Sequence, residues 1–533
     1  MAVKICFATR LWQGAVKGGW AIGTVATIGL ASCAVGPDFS LPVSPDIGSF
    51  TVDRLPGSNS AGGKTQRFAS GLDLPADYWT LFRSPALNGL VQRALRDNPN
   101  VDAAKAALRV AQANVYAEVG QLFPLATVNY SGIRGRTANQ VSSPLSDPGT
   151  NFYSLHTGQF SVSYVPDIWG GTRRQVENLE ALKANQRFEN EATFLTLTSN
   201  IALGAIQEAS LRAQIRVTER LIVISKDIRD KVKLQKDLGQ LTGLDVAGQE
   251  ALLAQTEATL PPLRKALDQN RDSLIVLAGH LPGEGLPERF QFTDLKLPRV
   301  LPVSLPSKLI TQRPDVRQAE ENMRAANALI GAALANRLPN FSIGGDIGHS
   351  GTQFANIFSA NPAYYFYTGL ANASQTIFDG FTLQQRQRAA EAGFDQAAAQ
   401  YRQAVLTAFQ NVADSLYAIK HDTVGLQKAI DAEAAAKKSL DLTRIQLDQG
   451  QVAFPTLLAA QTTYLQAELT TIQATANRYN DTVMLFQALG GGWWNRQAPA
   501  PSNEPSAWLA SVSGAEPDPN KTAYPGATAA NAR

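Results

Sequence analysis

NPNVDAAKAALRVAQANVYAEVGQLFPLATVNY, residues 98 to 130, recurs as RPDVRQAEENMRAANALIGAALANRLPNFSIGG at 313 to 345, a constant offset of 215 positions. Each copy carries two prolines at the same spacing, Pro99 with Pro124 and Pro314 with Pro339. Proline fits the first turn of a helix, where its missing N–H is not needed, and is excluded from the interior. Each pair therefore brackets one helix. Past the second proline the hydrophobic period falls from about 3.6 to 2, as when a helix hands over to a strand. A repeat of this length sets the architecture: one helix-and-strand unit, used twice.

The match continues outward. SVSYVPDIWGG at 161 to 171 answers ANASQTIFDGF at 371 to 381, with Ile168, Trp169 and Gly171 set against Ile377, Phe378 and Gly380. DLGQLTGLDV at 237 to 246 answers DQGQVAFPTL at 448 to 457, and LAGHLPG at 277 to 283 answers ALGGGWW at 488 to 494. Residues 175 to 238 lack proline, and apolar residues recur there at Leu211, Ile215, Leu221, Ile224, Ile228 and Val232. At 1.5 Å per residue this is a helix of roughly 95 Å, too long for the inside of a compact globule. Its counterpart spans 383 to 447. Each leads through a glycine-containing turn to a helix about half as long, near 245 to 278 and 455 to 489. Helices at 85 to 123 and 306 to 338 precede the strands, with kinks expected at Asn98-Pro99 and Arg313-Pro314.

Four short strands alternate apolar with polar residues. Val128 and Tyr130 oppose Thr127, Asn129 and Ser131; Phe160, Val162 and Tyr164 oppose Gln159, Ser161 and Ser163. Phe341, Ile343 and Ile347 oppose Ser342, Gly344, Asp346 and Gly348, and a fourth strand near 367 to 375 is placed by its match to the second. Two readings fit: a half-buried sheet on a soluble core, or a transmembrane β-barrel wall with Val128, Tyr130, Phe160, Val162, Tyr164, Phe341, Ile343 and Ile347 toward lipid. Four strands cannot close a barrel and open edges are not tolerated in lipid, so the second reading requires several protomers to pool their strands.

Residues 1 to 32 carry Lys4, Arg10 and Lys17, no acid, an apolar run from Trp20 to Ala31, and then Leu30-Ala31-Ser32-Cys33. This reads as a secretory signal. Leu-Ala-Ser-Cys resembles a bacterial lipobox, whose Cys takes up diacylglycerol and a fatty acyl group such as palmitate. On Cys33 these chains would hold the mature protein to a leaflet, and Ala34 in the next position resembles the outer-membrane sorting pattern. The formal charge of +3 is carried by the signal, leaving the mature chain near neutral, which argues against a nucleic-acid partner. Cys6 leaves with the signal and Cys33 is acylated, so no disulfide is expected. Past the signal no run of 18 apolar residues suggests a transmembrane helix.

CAVGPDF at 33 to 39, YWTLFRSPALNGLVQRALRDNPNVDAA at 78 to 104, QRPDVRQAE at 312 to 320, TIFDGF at 376 to 381 and ALGGGW at 488 to 493 resemble the TolC-like outer membrane factors, in their NodT lipoprotein branch. The resemblance covers nearly the whole mature chain. It implies a mainly α fold with a small transmembrane β part: a homotrimer whose 12-stranded β-barrel in the outer membrane continues into a 12-helix periplasmic α-barrel. It also implies a passive efflux duct, neither an enzyme nor a user of ATP or proton gradient. Substrate would arrive from an inner-membrane pump of RND type through a periplasmic adaptor. The helix ends Gly239-Gln240-Leu241 and Gly450-Gln451-Val452 would form the periplasmic tip, where the family places adaptor docking and the gate. Gly239 and Gly450 have a capping role in any case, since glycine accepts the positive φ of a helix C-terminus. Asp441 and Asp448 lie seven apart on one helical face with Arg444 between, either a charged ring narrowing the lumen or a solvated surface.

The chain thus divides into a signal (1–32), a lipidated extended segment (33–84), a first repeat (85–283, strands near 125–133 and 157–167) and a linker (284–305). A second repeat (306–494, strands near 340–349 and 366–377) and a disordered tail (495–533) follow. Gly57 to Thr65 resembles a phosphate-binding loop, but its Lys64 arrives one residue late and no strand precedes it, so a linker is expected. His156, His280, His349 and His421 show no metal-ligand spacing, and Glu320-Glu321 is expected as an exposed helical pair; neither a metal nor a soluble cofactor is implied. A structural coiled-coil envelope lipoprotein is the rival class, needing neither lipid-facing strands nor duplicated hairpins. An adaptor would show one helical hairpin flanked by lipoyl-like strands. The cargo is not named by any residue.

Overall fold

The computed structural model describes residues 34–43, 47–53, 56–136 and 152–496. After an extended N-terminal strap come β1 (Asn59–Ala61) and β2 (Lys64–Ser70), then α1 (Pro85–Asp97), α2 (Pro99–Gly120), β3 (Leu125–Arg136), β4 (Phe152–Tyr164), α3 (Gly171–Asp237) and α4 (Gly243–Leu277). The second unit follows as β5 (Val300–Val303), α5 (Pro306–Gln312), α6 (Pro314–Ala335), β6 (Asn340–Gly351), β7 (Tyr365–Ser374), α7 (Thr382–Asp448) and α8 (Phe454–Ala488). The repeat is metrical. α2 and α6 have 22 residues each, α3 and α7 have 67 each, and α4 and α8 have 35 each. The offset is 215 residues before the strands and 211 after them, so the length change lies in the β-hairpins. Helix starts pair Gly170 with Phe381 as caps in the left-handed region, φ 76° and 67°, which corrects the expected match of Gly171 to Gly380.

The two prolines at 99 and 314 make full breaks rather than kinks. Asn98 and Arg313 turn extended, ψ 122° and 125°, as the residue before proline must. The same two residues join short helices end to end. Asn98 Nδ2 donates to the Leu277 carbonyl at the end of α4 (2.8 Å), and Arg313 Nη1 donates to the Ala488 carbonyl at the end of α8 (3.0 Å). Gly279 and Gly490 follow these ends with φ 84° and 95°; a Cβ on either would overlap a backbone carbonyl, of Asp97 and of Gln312. α4 with α2, and α8 with α6, therefore form two composite columns beside the continuous α3 and α7.

At this junction level the main core forms a belt around the helices. Tyr78, Phe82, Leu90 and Val91 pack with Ile201, Ala205, Val412, Leu416 and Phe486. The expected linkers contribute to it. Gly62-Gly63, φ 54° and 74°, turns β1 onto β2, and β5 pairs parallel to β2, so 57–65 is a hairpin and 300–303 a strand. Lys64 Nζ bonds Tyr479 Oη (3.2 Å), not a phosphate loop. The predicted tail boundary also moves: Trp493–Asn495 is a 3₁₀ turn, Asn495 Nδ2 donates to the Leu74 carbonyl, and Arg496 pairs with Glu191. The predicted disorder of the rest of the tail, the signal peptide and Cys33 fall outside the described residues.

Candidate functional site: the sheet and the helical tips

β3, β4, β6 and β7 form one antiparallel sheet in that order, standing at the end of the helices where α2 and α6 arrive and α3 and α7 leave. Register decides which side chains share a face, because cross-strand partners point the same way. Val128 pairs with Phe160, Phe160 with Ile347, and Ile347 with Tyr367. The next rows are Tyr130–Gly158–His349–Tyr365 and Tyr164–Ile343–Ala371, with Phe341 opposite Ala373. All eight residues read from period 2, Val128, Tyr130, Phe160, Val162, Tyr164, Phe341, Ile343 and Ile347, thus lie on one face. The other face carries Thr127, Asn129, Gln159, Ser161 and Asp346, with Gln159 Nε2 donating to Asp346 (3.4 Å) and Thr157 bonded to Ser350 (3.0 Å). Both β3 and β7 are edge strands among the described residues, and Val128 and Tyr367 stay 81 % and 78 % exposed.

Below the sheet each long helix starts at a left-handed cap without a capping side chain. Asp167 substitutes, accepting from the Thr172 and Arg173 amides, and Asp379 accepts from the Leu383 amide. The strap docks here. The Val35 amide bonds the Trp169 carbonyl (3.0 Å). Arg174, buried, donates to the Val35 and Gly36 carbonyls and to Asp38 and Glu177. Ala34 lies so close to Gly170 that a Cβ there would stand 2.6 Å from its Cα. The chain position after Cys33 is thereby held at the sheet–helix junction.

At the far end both hairpins close with the same cap. The Gly239 amide bonds the Lys236 carbonyl and the Gln240 amide the Gln235 carbonyl; Gly450 and Gln451 do the same to Leu447 and Gln446. This 5→2 and 6→1 pair needs a left-handed residue, supplied by Gly239 (φ 74°) and Gly450 (φ 68°). Beneath the turns Val232, Val246, Leu440, Phe454 and Leu457 form a second apolar cluster, with Leu241 packed against it, which ties the two hairpins together. Gly239, Gln240, Gly450 and Gln451 are exposed and Val452 half-buried. Asp441 and Asp448 are exposed and Arg444 half-buried on α7, with no ion pair among the described residues.

Three features escaped sequence reading. Glu320 and Glu321 are buried, 2 % and 4 % exposed, not surface residues. Arg317 and Arg324 on the same helix pair with both, and those guanidiniums stack over Phe188 and Phe39. Burial raises the Glu320 pKa despite these partners. Arg478, 1 % exposed, has no carboxylate partner among the described residues; it donates to Gln66 and to the carbonyls of Asn59, Ala61 and Lys64, fastening the β1–β2 turn to α8. Asp481, one turn on, is pushed up to about 7, by burial first and then by Asp422 facing it from α7. Nothing in the local sequence distinguishes these charges from surface ones.

Comparison with known proteins agrees with this geometry. A family model described as "Outer membrane efflux protein" matches twice, over residues 90–280 and 305–491, one match per repeat. The pyoverdine export outer membrane protein OpmQ of Pseudomonas putida is 28 % identical over 432 residues, 80 % of this chain and 89 % of that protein. The probable efflux pump outer membrane protein TtgC of the same species is 25 % identical, over 88 % and 95 %. The solved outer-membrane channel OprN superimposes with a TM-score of 0.76 at 26 % identity, covering 86 % of this chain and 100 % of that one. The Campylobacter jejuni CmeC outer membrane channel has the same fold, TM-score 0.77 at 19 % identity, over 90 % and 98 %. The chain belongs to the outer membrane efflux protein family, with its sheet at the outer membrane and its helices in the periplasm.

Proposed function

We propose that three copies of this chain form a passive duct that carries small molecules across the outer membrane, received from an inner-membrane pump through a periplasmic adaptor. The observation that carries this reading is the sheet: apolar on one face, polar on the other, and unpaired at both edges among the described residues. Hydrocarbon does not tolerate open edges. Pairing β7 of one copy with β3 of the next removes them and closes a barrel of three sheets, polar face inward. The helices below continue the tube, each α3 and α7 about 100 Å long.

Spacing on the apolar face supports a bilayer fit. Tyr130, His349 and Tyr365 form an upper aromatic row; Tyr164 and Phe341 lie lower, with Trp169 and Phe378 beyond. From His349 to Phe341 is eight residues, about 26 Å along the strand, comparable to the apolar band of such barrels. The docked strap would deliver acyl chains on Cys33 to the lower row, at the membrane's periplasmic surface. The tips, Gly239-Gln240-Leu241 and Gly450-Gln451-Val452, are the exposed ends to which an adaptor would bind, and Asp441, Arg444 and Asp448 on α7 just before the second tip are the charged group that would act as a gate. Relatives named for pyoverdine export and for toluene efflux support small molecules as cargo, selected by an RND-type pump. None of this needs catalysis.

Native mass spectrometry of the detergent-solubilised protein tests it. Three protomers, each lacking 1–32 and carrying acyl mass that Cys33→Ser removes, are expected. A stable monomer overturns the duct.

A further inference from the structure

On the outward face of the sheet, the basic side chains among the described residues all lie at one end. Following the register, its residues include two arginines, two histidines and no carboxylate. Arg134 and Arg136 stand two and three rows beyond Tyr130, toward the hairpin ends farthest from the helices. Both are exposed and neither has a carboxylate partner among the described residues. On the opposite face of the same stretch stand Ser131, Ile133 and Gly135, without charge.

Beneath the arginines is a built shelf. Tyr130 Oη bonds His156 Nδ1 (2.9 Å), and Phe354 from the β6–β7 connection sets its ring edge-on against both, at 5.6 and 6.1 Å. Arg136 lies 5.5 Å over the Phe152 ring. Ile357 packs on Gly158, so the connection folds back over this face and fixes the shelf.

We infer that Arg134 and Arg136 bind phosphate groups of lipids in the outer leaflet, with Tyr130, His156 and Phe354 supporting the sugar or glycerol portion and the apolar rows below taking the acyl chains. This rests on the barrel reading. A guanidinium fork matches phosphate geometry, and beyond an aromatic row it stands at headgroup height. An anion without an apolar tail would use the arginines but not the rows beneath them.

The test titrates the intact detergent-solubilised protein with bis-phosphorylated lipid A, reading bound lipid by native mass spectrometry. Dephosphorylated lipid A and inorganic phosphate serve as the other probes. Arg134→Gln/Arg136→Gln should weaken binding about thirtyfold, about fivefold per arginine, with trimer mass and conductance unchanged. Arg134→Lys/Arg136→Lys should retain most of it. Dephosphorylated lipid A should bind weakly, and inorganic phosphate should not compete. Equal binding by the glutamine variant, or by dephosphorylated lipid A, overturns the inference. Competition by inorganic phosphate at equal concentration overturns the lipid assignment in favour of a free-anion site. A wild-type protein that neither trimerises nor conducts overturns the barrel reading itself, and this inference with it.

Discussion

Asp481→Asn should make the protein more stable above pH 7 and remove part of its pH dependence. Asp481 is 9 % exposed, one carboxylate oxygen has no hydrogen-bond partner, and Asp422 faces it. Its pKa rises from 3.8 to about 7. A raised acid pKa means that the folded state binds the proton more tightly than the unfolded one. The associated stability is therefore fully present below about pH 4 and is lost as pH rises through about 7. A rise from 3.8 to about 7 corresponds to about 4 kcal/mol per protomer. Asparagine keeps the shape without the ionisation. The assay is the rate of thermal unfolding at fixed temperature from pH 4.5 to 8.5 for both proteins, since large membrane assemblies unfold irreversibly. The wild type should lose stability relative to the variant across pH 5 to 8. A constant difference over that range, or a wild type that gains on the variant as pH rises, refutes the reasoning.

Arg478→Leu removes the side-chain donor to the carbonyls of Asn59, Ala61 and Lys64 and should cost about 2–4 kcal/mol; limited proteolysis should newly cut between residues 56 and 70. Gly490→Ala combines φ 95° with overlap on the Gln312 carbonyl and should lower the thermal midpoint measurably, as should Gly279→Ala at the equivalent joint. Val128→Arg, on the apolar face, should impair insertion by about 2–4 kcal/mol while Gln159→Arg, on the polar face beside it, should not; vesicle-refolding yield separates them.

Regular periodicity carried most of the fold into the sequence. Two long proline-free helices and the faces of the first three strands follow from spacing, because 3.6 and 2 are properties of the backbone; the fourth strand follows only from the internal repeat. What stayed hidden depends on distant partners. β5 pairs with β2 across more than 200 residues and each is too short to stand out. Glu320, Glu321 and Arg478 look like surface charges until α3, α7 and the β1–β2 turn cover them. Pro261-Pro262 would end a helix by local rule, but the repeat already places one continuous helix there, and α4 runs through both because its packing along α3 outweighs the lost hydrogen bonds. Phe381 takes a left-handed conformation that its identity opposes, set by the junction between sheet and helix. The tip glycines were legible for the opposite reason: φ near +70° selects the residue type directly.

The central claim, that the open sheet is one third of a membrane-spanning duct, is tested most directly by planar-bilayer conductance of the purified protein. Discrete steps of uniform size, carried by particles of trimer mass, are expected. Trimers that leave the bilayer impermeable under every voltage, even after the tips are loosened by Asp441→Ala/Asp448→Ala, would contradict it.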